Sequence, residues 1–268
     1  MQANLKSRLV TAAFGIPLLV VLVGWAPHWL FATVFFLITV AVLREFYAIA
    51  FPGRARDQGL AVLFGGCVAL LVLASDGRNL ESGLSLVLII LIPFHLFASG
   101  RVEERLSRLA WTLLGGLYLG LLLPHWVILF DLPNGRKWVF FVLSVVMAGD
   151  SIAYFVGNRF GSRKLSPDIS PAKTVEGAWG YLLGSLTAGI CGSWYLLGGY
   201  SWLEVCALAI SLSLLGQLGD LFESSVKRAF AVKDSGTLLP GHGGLLDRID
   251  SLILPAVFVT SYVKAFHS

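Results

Sequence analysis

The sequence predicts an all-α, polytopic integral membrane protein, a helical bundle of about nine transmembrane helices with a cytoplasmic N-terminus. Three observations carry that expectation. First, of 268 residues 56% are hydrophobic and only 13% charged, whereas soluble domains carry about 25% charged residues. Too few charges exist to cover a water-facing surface, so the bilayer must be the solvent for most of the chain. Second, apolar runs near the length needed to cross a bilayer recur nine times, at roughly 9–25, 28–45, 59–75, 82–99, 111–130, 138–157, 177–197, 201–220 and 251–267. Third, with the N-terminus inside, all of the 20 Lys and Arg except Arg78, Arg136, Lys137 and Lys264 fall in cytoplasmic segments, the asymmetry that orients membrane proteins. Adding or removing one span would scramble it. The chain reads as a single domain over 1–268, and its net charge of +4 reflects loop residues beside hydrophobic spans and anionic headgroups, which argues against a nucleic-acid partner.

In order along the chain, Lys6 and Arg8 precede the first apolar run, and WAPHW leads at once into another, which favours a retained span over a cleaved signal. Pro17 is placed to kink that span. Arg44 and Glu45 close the second span and read as an interfacial ion pair. Residues 101–110, RVEERLSRLA, alternate charge with apolar residues and predict a short interfacial amphipathic helix on headgroups. Gly115, Gly116 and Gly120 mark close helix packing in the fifth span, and His125 after Pro124 reads as structural. The sixth span is different, because Asp150 lies within it. An acid inside the membrane is costly and is by default a functional candidate. The polar loop after it holds Asn158, Arg159, Arg163, Lys164, Ser170, Lys173 and Glu176, and Thr174 or Ser170 is placed to cap the next helix. The seventh span has glycines at 177, 180, 184, 189 and 192, spaced for close helix approach. The eighth ends in GQLGD, which delivers Asp220 to the interface. Cys67, Cys191 and Cys206 each sit in an apolar run without a CxxC partner and read as packing residues.

The richest chemistry lies in 216–250, GQLGDLFESSVKRAFAVKDSGTLLPGHGGLLDRID. Asp220, Glu223 and Ser224 share a helix face if the helix continues, and Asp247 and Asp250 do the same further on. These two acid clusters flank a basic, Gly-rich loop. Carboxylates hold Mg2+, with room for a second cation, and hard cations bridge phosphate oxygens. Asp220 and Asp247 are the main candidate metal ligands, with Asp250 and Asp150 assisting. Lys173, Lys227, Arg228, Lys233 and Arg248 suit a polyphosphate, with Ser224 beside them and Gly243 and Gly244 allowing backbone amides to approach. His242 either binds or protonates a phosphate or is a turn residue held by the backbone. No GxxxxGK[ST] loop and no G-x-S-x-G elbow is present, so neither a Walker-type ATPase nor a serine hydrolase is supported.

Ser224, Lys227-Arg228, Lys233-Asp234, Pro240, His242-Gly243-Gly244 and Asp247-Arg248-Ile249-Asp250 together resemble the C-terminal motif of the phosphatidate cytidylyltransferase family, the CDP-diacylglycerol synthases. A second block resembles the same family: Asp150, Ser151, Tyr154 and Gly157, then Ser170-Pro171, Lys173-Thr174 and Glu176-Gly177. The resemblance implies CTP and phosphatidic acid as substrates, CDP-diacylglycerol and pyrophosphate as products, and a Mg2+-dependent catalytic region over 150–177 and 216–250. It also implies a place in phospholipid synthesis among membrane lipids; the compact chain with short loops suits a bacterial inner membrane, the charge asymmetry turns the site to the cytoplasm, and a homodimer is compatible with both. Two alternatives remain at this point. A CTP-dependent lipid kinase would share the nucleotide chemistry, and a transporter would suit Asp150 and broken helices. The Asp-Gly-x-x-Ala-Arg pattern of the CDP-alcohol phosphotransferases is absent.

Overall fold

A computed structural model describes residues 2–74, 80–236, 238 and 243–267, with side chains at residue 13 and from residue 15 onward. It is a chain of helices: α1 (Gln2–Trp25), α2 (His28–Ala50), α3 (Ala55–Ala74), α4 (Leu80–Leu96), α5 (Val102–Gly115), α6 (His125–Asp131), α7 (Gly135–Phe160), α8 (Val175–Gly192), α9 (Trp202–Ala229) and α10 (Leu246–Phe266). A π-helical turn, Gly116–Leu121, joins α5 to α6, and another, Ser193–Leu197, extends α8. Each of the nine apolar runs lies on one of these helical segments. Among the described residues six segments are long and apolar enough to cross a membrane: α2, α3, the stretch from α5 through α6, α7, α9 and α10. The apolar parts of α1 and α4 are shorter, and α8, diluted by glycine, is not among the six. Apolar side chains such as Ile90 (72% exposed) and Leu18 (70%) stand out from the protein. They make physical sense with hydrocarbon as the solvent, and the architecture is an all-α polytopic membrane protein.

Contacts divide the chain into two compact units where the sequence reads as one domain. The first comprises 1–18, 25–128 and 234–246, and the second 19–24, 129–233 and 247–268. In the first, Phe64, Val68 and Leu91 form a core with Leu109 and Leu113 packed against it. The Tyr47 hydroxyl donates to the Thr112 carbonyl at 2.7 Å. Two expectations are corrected in this unit. Residues 101–110 do not form a separate interfacial helix, because α5 starts at Val102 and runs unbroken to Gly115. Its arginines are committed to protein: Arg108 reaches Asp57 at 3.4 Å and the Ser99 carbonyl at 2.5 Å, and Arg105 donates to the Leu96 carbonyl. Nor does α2 end at an Arg44–Glu45 ion pair. It continues to Ala50, and Glu45 is buried, accepting hydrogen bonds from Ser235, Leu245 and Leu246.

The second unit holds the candidate chemistry. Glycines at 180 and 184 of α8 lie against Val156, Ile152 and the Ala148 carbonyl of α7. Later positions of α8 meet earlier positions of α7, so the two helices are antiparallel, and a side chain at either glycine would wedge them apart. The loop between them is ordered as a hairpin, with β1 (Lys164–Ser166) antiparallel to β2 (Ser170–Thr174), Lys164 opposite Thr174 and Ser166 opposite Ser170. The sequence reading saw only a polar loop there. Thr174 is the cap of α8, its hydroxyl accepting the Gly177 amide at 3.1 Å, so the strand passes directly into the helix. Gly219 of α9 faces the Asp250 carbonyl of α10 closely enough that a Cβ would collide with it. That close crossing juxtaposes the acidic stretches of the two helices.

Candidate active site

The site is built on α7, the hairpin, α8, α9 and the first turns of α10. Helix α9 does not stop at Asp220, as the apolar run suggested, but continues to Ala229. Asp220, Glu223, Ser224 and Lys227 therefore stand on one helical face, with the Ser224 hydroxyl 3.4 Å from Asp220. Helix α10 likewise begins at Leu246, before the apolar run, so Asp247 and Asp250 occupy its first turns. Both extensions have the same physical reason: a polar residue ends an apolar run but not a hydrogen-bonded helix.

A cavity of about 290 Å3 opens among these elements. Its polar residues are Asp150 and Asn158 of α7, Lys173 and Thr174 of β2, Tyr181 of α8, and Gln217 and Asp220 of α9. Its apolar wall includes Ala153, Tyr154, Leu165 and Ala178. The Lys173 ammonium lies 2.7 Å from Asp220. The hairpin makes that pair, because β2 carries Lys173 across to α9. Asp150 accepts the Ser251 hydroxyl at 3.1 Å. Tyr181 is 3% exposed, and its hydroxyl makes no well-aligned hydrogen bond among the described residues. The fields of Asp150, Asp220 and Asp250 all reach it.

Beside the cavity, the Lys227 ammonium bridges Glu223 at 2.5 Å and Asp247 at 2.6 Å. All three side chains are largely buried, at 14%, 1% and 11% exposure. An ammonium shared by two carboxylates at low dielectric locks α9 to α10, and removing it would leave two buried carboxylates uncompensated. The Asp250 carboxylate accepts the Ser251 amide at 2.7 Å. Arg228 takes a different part from the one its type suggested. Its guanidinium donates to the Ile169 carbonyl in the hairpin turn at 3.1 Å and to the Val232 carbonyl at 3.5 Å, tying the hairpin tip to the end of α9. Lys233 and Arg248 are exposed. Gly243 and Gly244 belong to the first unit, where Gly244 is buried beside Glu45 and Ser235. His242 lies outside the described residues.

Glu176, in the first turn of α8, organises the start of the hairpin. The Ser162 hydroxyl donates to it at 2.6 Å, and the amides of Ser162 and Arg163 at 3.1 and 3.3 Å. These donors, the Ser162 hydroxyl foremost, hold its carboxyl down to a pKa of about 2.

The donor set fits a hard divalent cation. Asp150, Asp220, Glu223, Asp247 and Asp250 interact electrostatically in one chain of neighbours. Among the described residues the ammonium groups paired with them are Lys173 and Lys227. Carboxylates outnumber their partners, and that excess suits added positive charge. No group of three or more His, Cys, Asp or Glu among the described residues forms a ready metal cage. Mg2+ does not need one, since it takes one or two carboxylates and completes its shell with water and phosphate oxygens.

Sequence reasoning assembled the acids and lysines but missed three side chains. Tyr181 and Gln217 were hidden in apolar spans, where the only signal was the polarity of Gln217 three residues before Asp220. Ser251 sat one residue beyond the motif.

Comparison with known proteins bears on the same residues. The model of the cytidylyltransferase family matches residues 6–266. A protein of Brucella melitensis biotype 1 named phosphatidate cytidylyltransferase is 33% identical over 271 residues, covering 99% of this chain and 95% of the relative. One of that name from Synechocystis sp. is 32% identical over 289 residues, covering 96% and 95%. Another from Bacillus subtilis is 37% identical over 161 residues, covering 60% of each. With the family model spanning all the elements that build the cavity, the chain belongs to the cytidylyltransferase family.

Proposed function

We propose that this protein transfers CMP from CTP to phosphatidic acid, giving CDP-diacylglycerol and pyrophosphate. The observation that carries the reading is the cavity beside Asp150, Lys173 and Asp220, with carboxylates in excess and an apolar wall, in a chain of membrane-spanning length. An oxygen of the lipid phosphate attacks the α-phosphorus of CTP. The bond from that phosphorus to the oxygen bridging to the β-phosphate breaks, and its electron pair leaves on pyrophosphate. The nucleophile is already anionic, so no covalent enzyme intermediate is needed, and alignment and charge neutralisation provide the rate. Lys173 holds a phosphate oxygen, and the Tyr181 hydroxyl donates to another. The wall of Ala153, Tyr154, Leu165 and Ala178 accepts the glycerol end of the lipid. Lys227 keeps Asp247 and Glu223 in place between α9 and α10. Asp220, Asp247 and Asp250, with Asp150, would hold Mg2+, which would supply positive charge to neutralise the phosphates. The distribution of Lys and Arg supports a site open to the cytoplasm of a bacterial inner membrane, where both substrates meet.

The test uses purified protein in detergent with phosphatidic acid, Mg2+ and CTP labelled at the α-phosphate. Label should pass into the lipid phase with release of pyrophosphate, stop on addition of EDTA and resume with excess Mg2+. Passage of a γ-phosphate label into lipid with release of CDP would replace this reading with a lipid kinase.

A further inference from the structure

Described residues on either side of the His-Gly-Gly motif are held by one residue about two hundred positions earlier in the chain. One carboxylate oxygen of Glu45, in α2, accepts the Leu245 amide at 2.9 Å; the other accepts the Leu246 amide at 2.8 Å and the Ser235 hydroxyl at 3.2 Å. Leu246 is the first residue of α10. Two of the amides that a helix start leaves without an internal partner are therefore satisfied from outside the loop, by a side chain bearing the charge that a helix N-terminus favours. Ser235 sits before the loop and Leu245 after it, so the same carboxylate gathers both ends.

A second, independent observation points the same way. Built onto Gly236, a Cβ would lie 2.7 Å from one Glu45 oxygen; built onto Gly244, it would lie 2.7 Å from the other. Both ends of the loop are glycine where the chain presses on this carboxylate. Glu45 is 7% exposed, and among the described residues no Lys, Arg or His forms an ion pair with it. Among the described residues its hydrogen-bond donors are neutral, and both oxygens accept.

We propose that Glu45 is a positioning residue for the cytidylyl transfer: it ties Ser235 to Leu245 and seats the start of α10 at Leu246, and so sets where Asp247, the next residue, stands. This rests on the function proposed above. Gln in its place keeps the size but turns one acceptor into a donor, which then faces an amide or hydroxyl donor. Glu45 touches no reacting atom in this role and acts through the loop.

The experiment compares wild type, Glu45→Gln and Gly236→Ala in the full-length protein in detergent, by steady-state kinetics, hydrogen exchange and thermal unfolding. Gly236→Ala tests the clamp from the other side, because its methyl intrudes on the carboxylate while residue 45 stays intact. Both variants should lower kcat about 10- to 100-fold with the KM for CTP changed less than 3-fold. Exchange should rise at the amides of 243–247 while α7 and α8 keep wild-type protection. Wild-type kinetics in Glu45→Gln would overturn the proposal. Loss of protection throughout the chain in both variants would also overturn it, by showing a general structural role. If wild type itself transfers no label, the reaction is wrong, and the exchange at 243–247 still decides whether Glu45 is the clamp.

Discussion

The residues of the site divide into those that hold charge in place and those that line the cavity, and substitution separates the two. Lys227 is of the first kind. Changing Lys227→Met leaves Glu223 and Asp247 largely buried without their shared ammonium, where loss of a partner costs about 3–5 kcal/mol. Lys227→Met should therefore lower both thermal stability and turnover, read by melting and by label transfer. Tyr181 is of the second kind. Its buried hydroxyl makes no aligned bond among the described residues, so Tyr181→Phe removes a desolvated group without breaking an aligned hydrogen bond. The melting temperature should stay the same or rise, while kcat/KM falls about 10-fold, corresponding to a hydrogen bond worth roughly 1.4 kcal/mol. A fall in stability without a fall in activity would remove Tyr181 from the site. Lys173→Met should be the more severe change, on the order of 100-fold in kcat/KM, the scale of a lost charge-stabilising donor.

At the scale of elements, the hairpin and the α7–α8 seam position Lys173. The seam exists because Gly180 and Gly184 let α8 lie on Ile152 and Val156. Gly184→Leu should force the helices apart at about 1–3 kcal/mol and lower activity by misplacing β2, although position 184 lies outside the cavity lining. Thr174→Ala removes the α8 cap and should cost about 1 kcal/mol. Glu176→Gln should loosen the turn at Ser162 and Arg163, seen as faster amide exchange there. The legibility of these elements in the sequence was uneven. Thr174 as a cap and the glycine seam follow from local rules and were readable. The hairpin was not, because Lys164–Ser166 and Ser170–Thr174 are short, polar and lack alternation; they are strands because they pair with each other. The amphipathic 101–110 stretch was misjudged as a separate helix because charge periodicity marks a face, and a helix breaks only where its backbone does.

At the scale of the whole molecule, the distribution of Lys and Arg predicts that the hairpin lies on the cytoplasmic side. After replacement of the native cysteines, which are free, Ser166→Cys should react with a membrane-impermeant maleimide only once cells are opened. Labelling of intact cells would reverse the orientation. By itself the sequence determined the membrane class, the approximate positions of the apolar helices, and which acids and lysines are candidates for the site, because hydropathy, charge and motif spacing are properties of contiguous residues. Only the tertiary structure decided that Lys173 meets Asp220, that Lys227 joins Glu223 to Asp247, that Arg228 holds the hairpin tip, and that Glu45 closes the loop base. Those partners are 4 to 201 residues apart, and which of the available carboxylates an ammonium or amide meets depends on how helices cross and where glycine lets them touch. No local pattern in the chain records that.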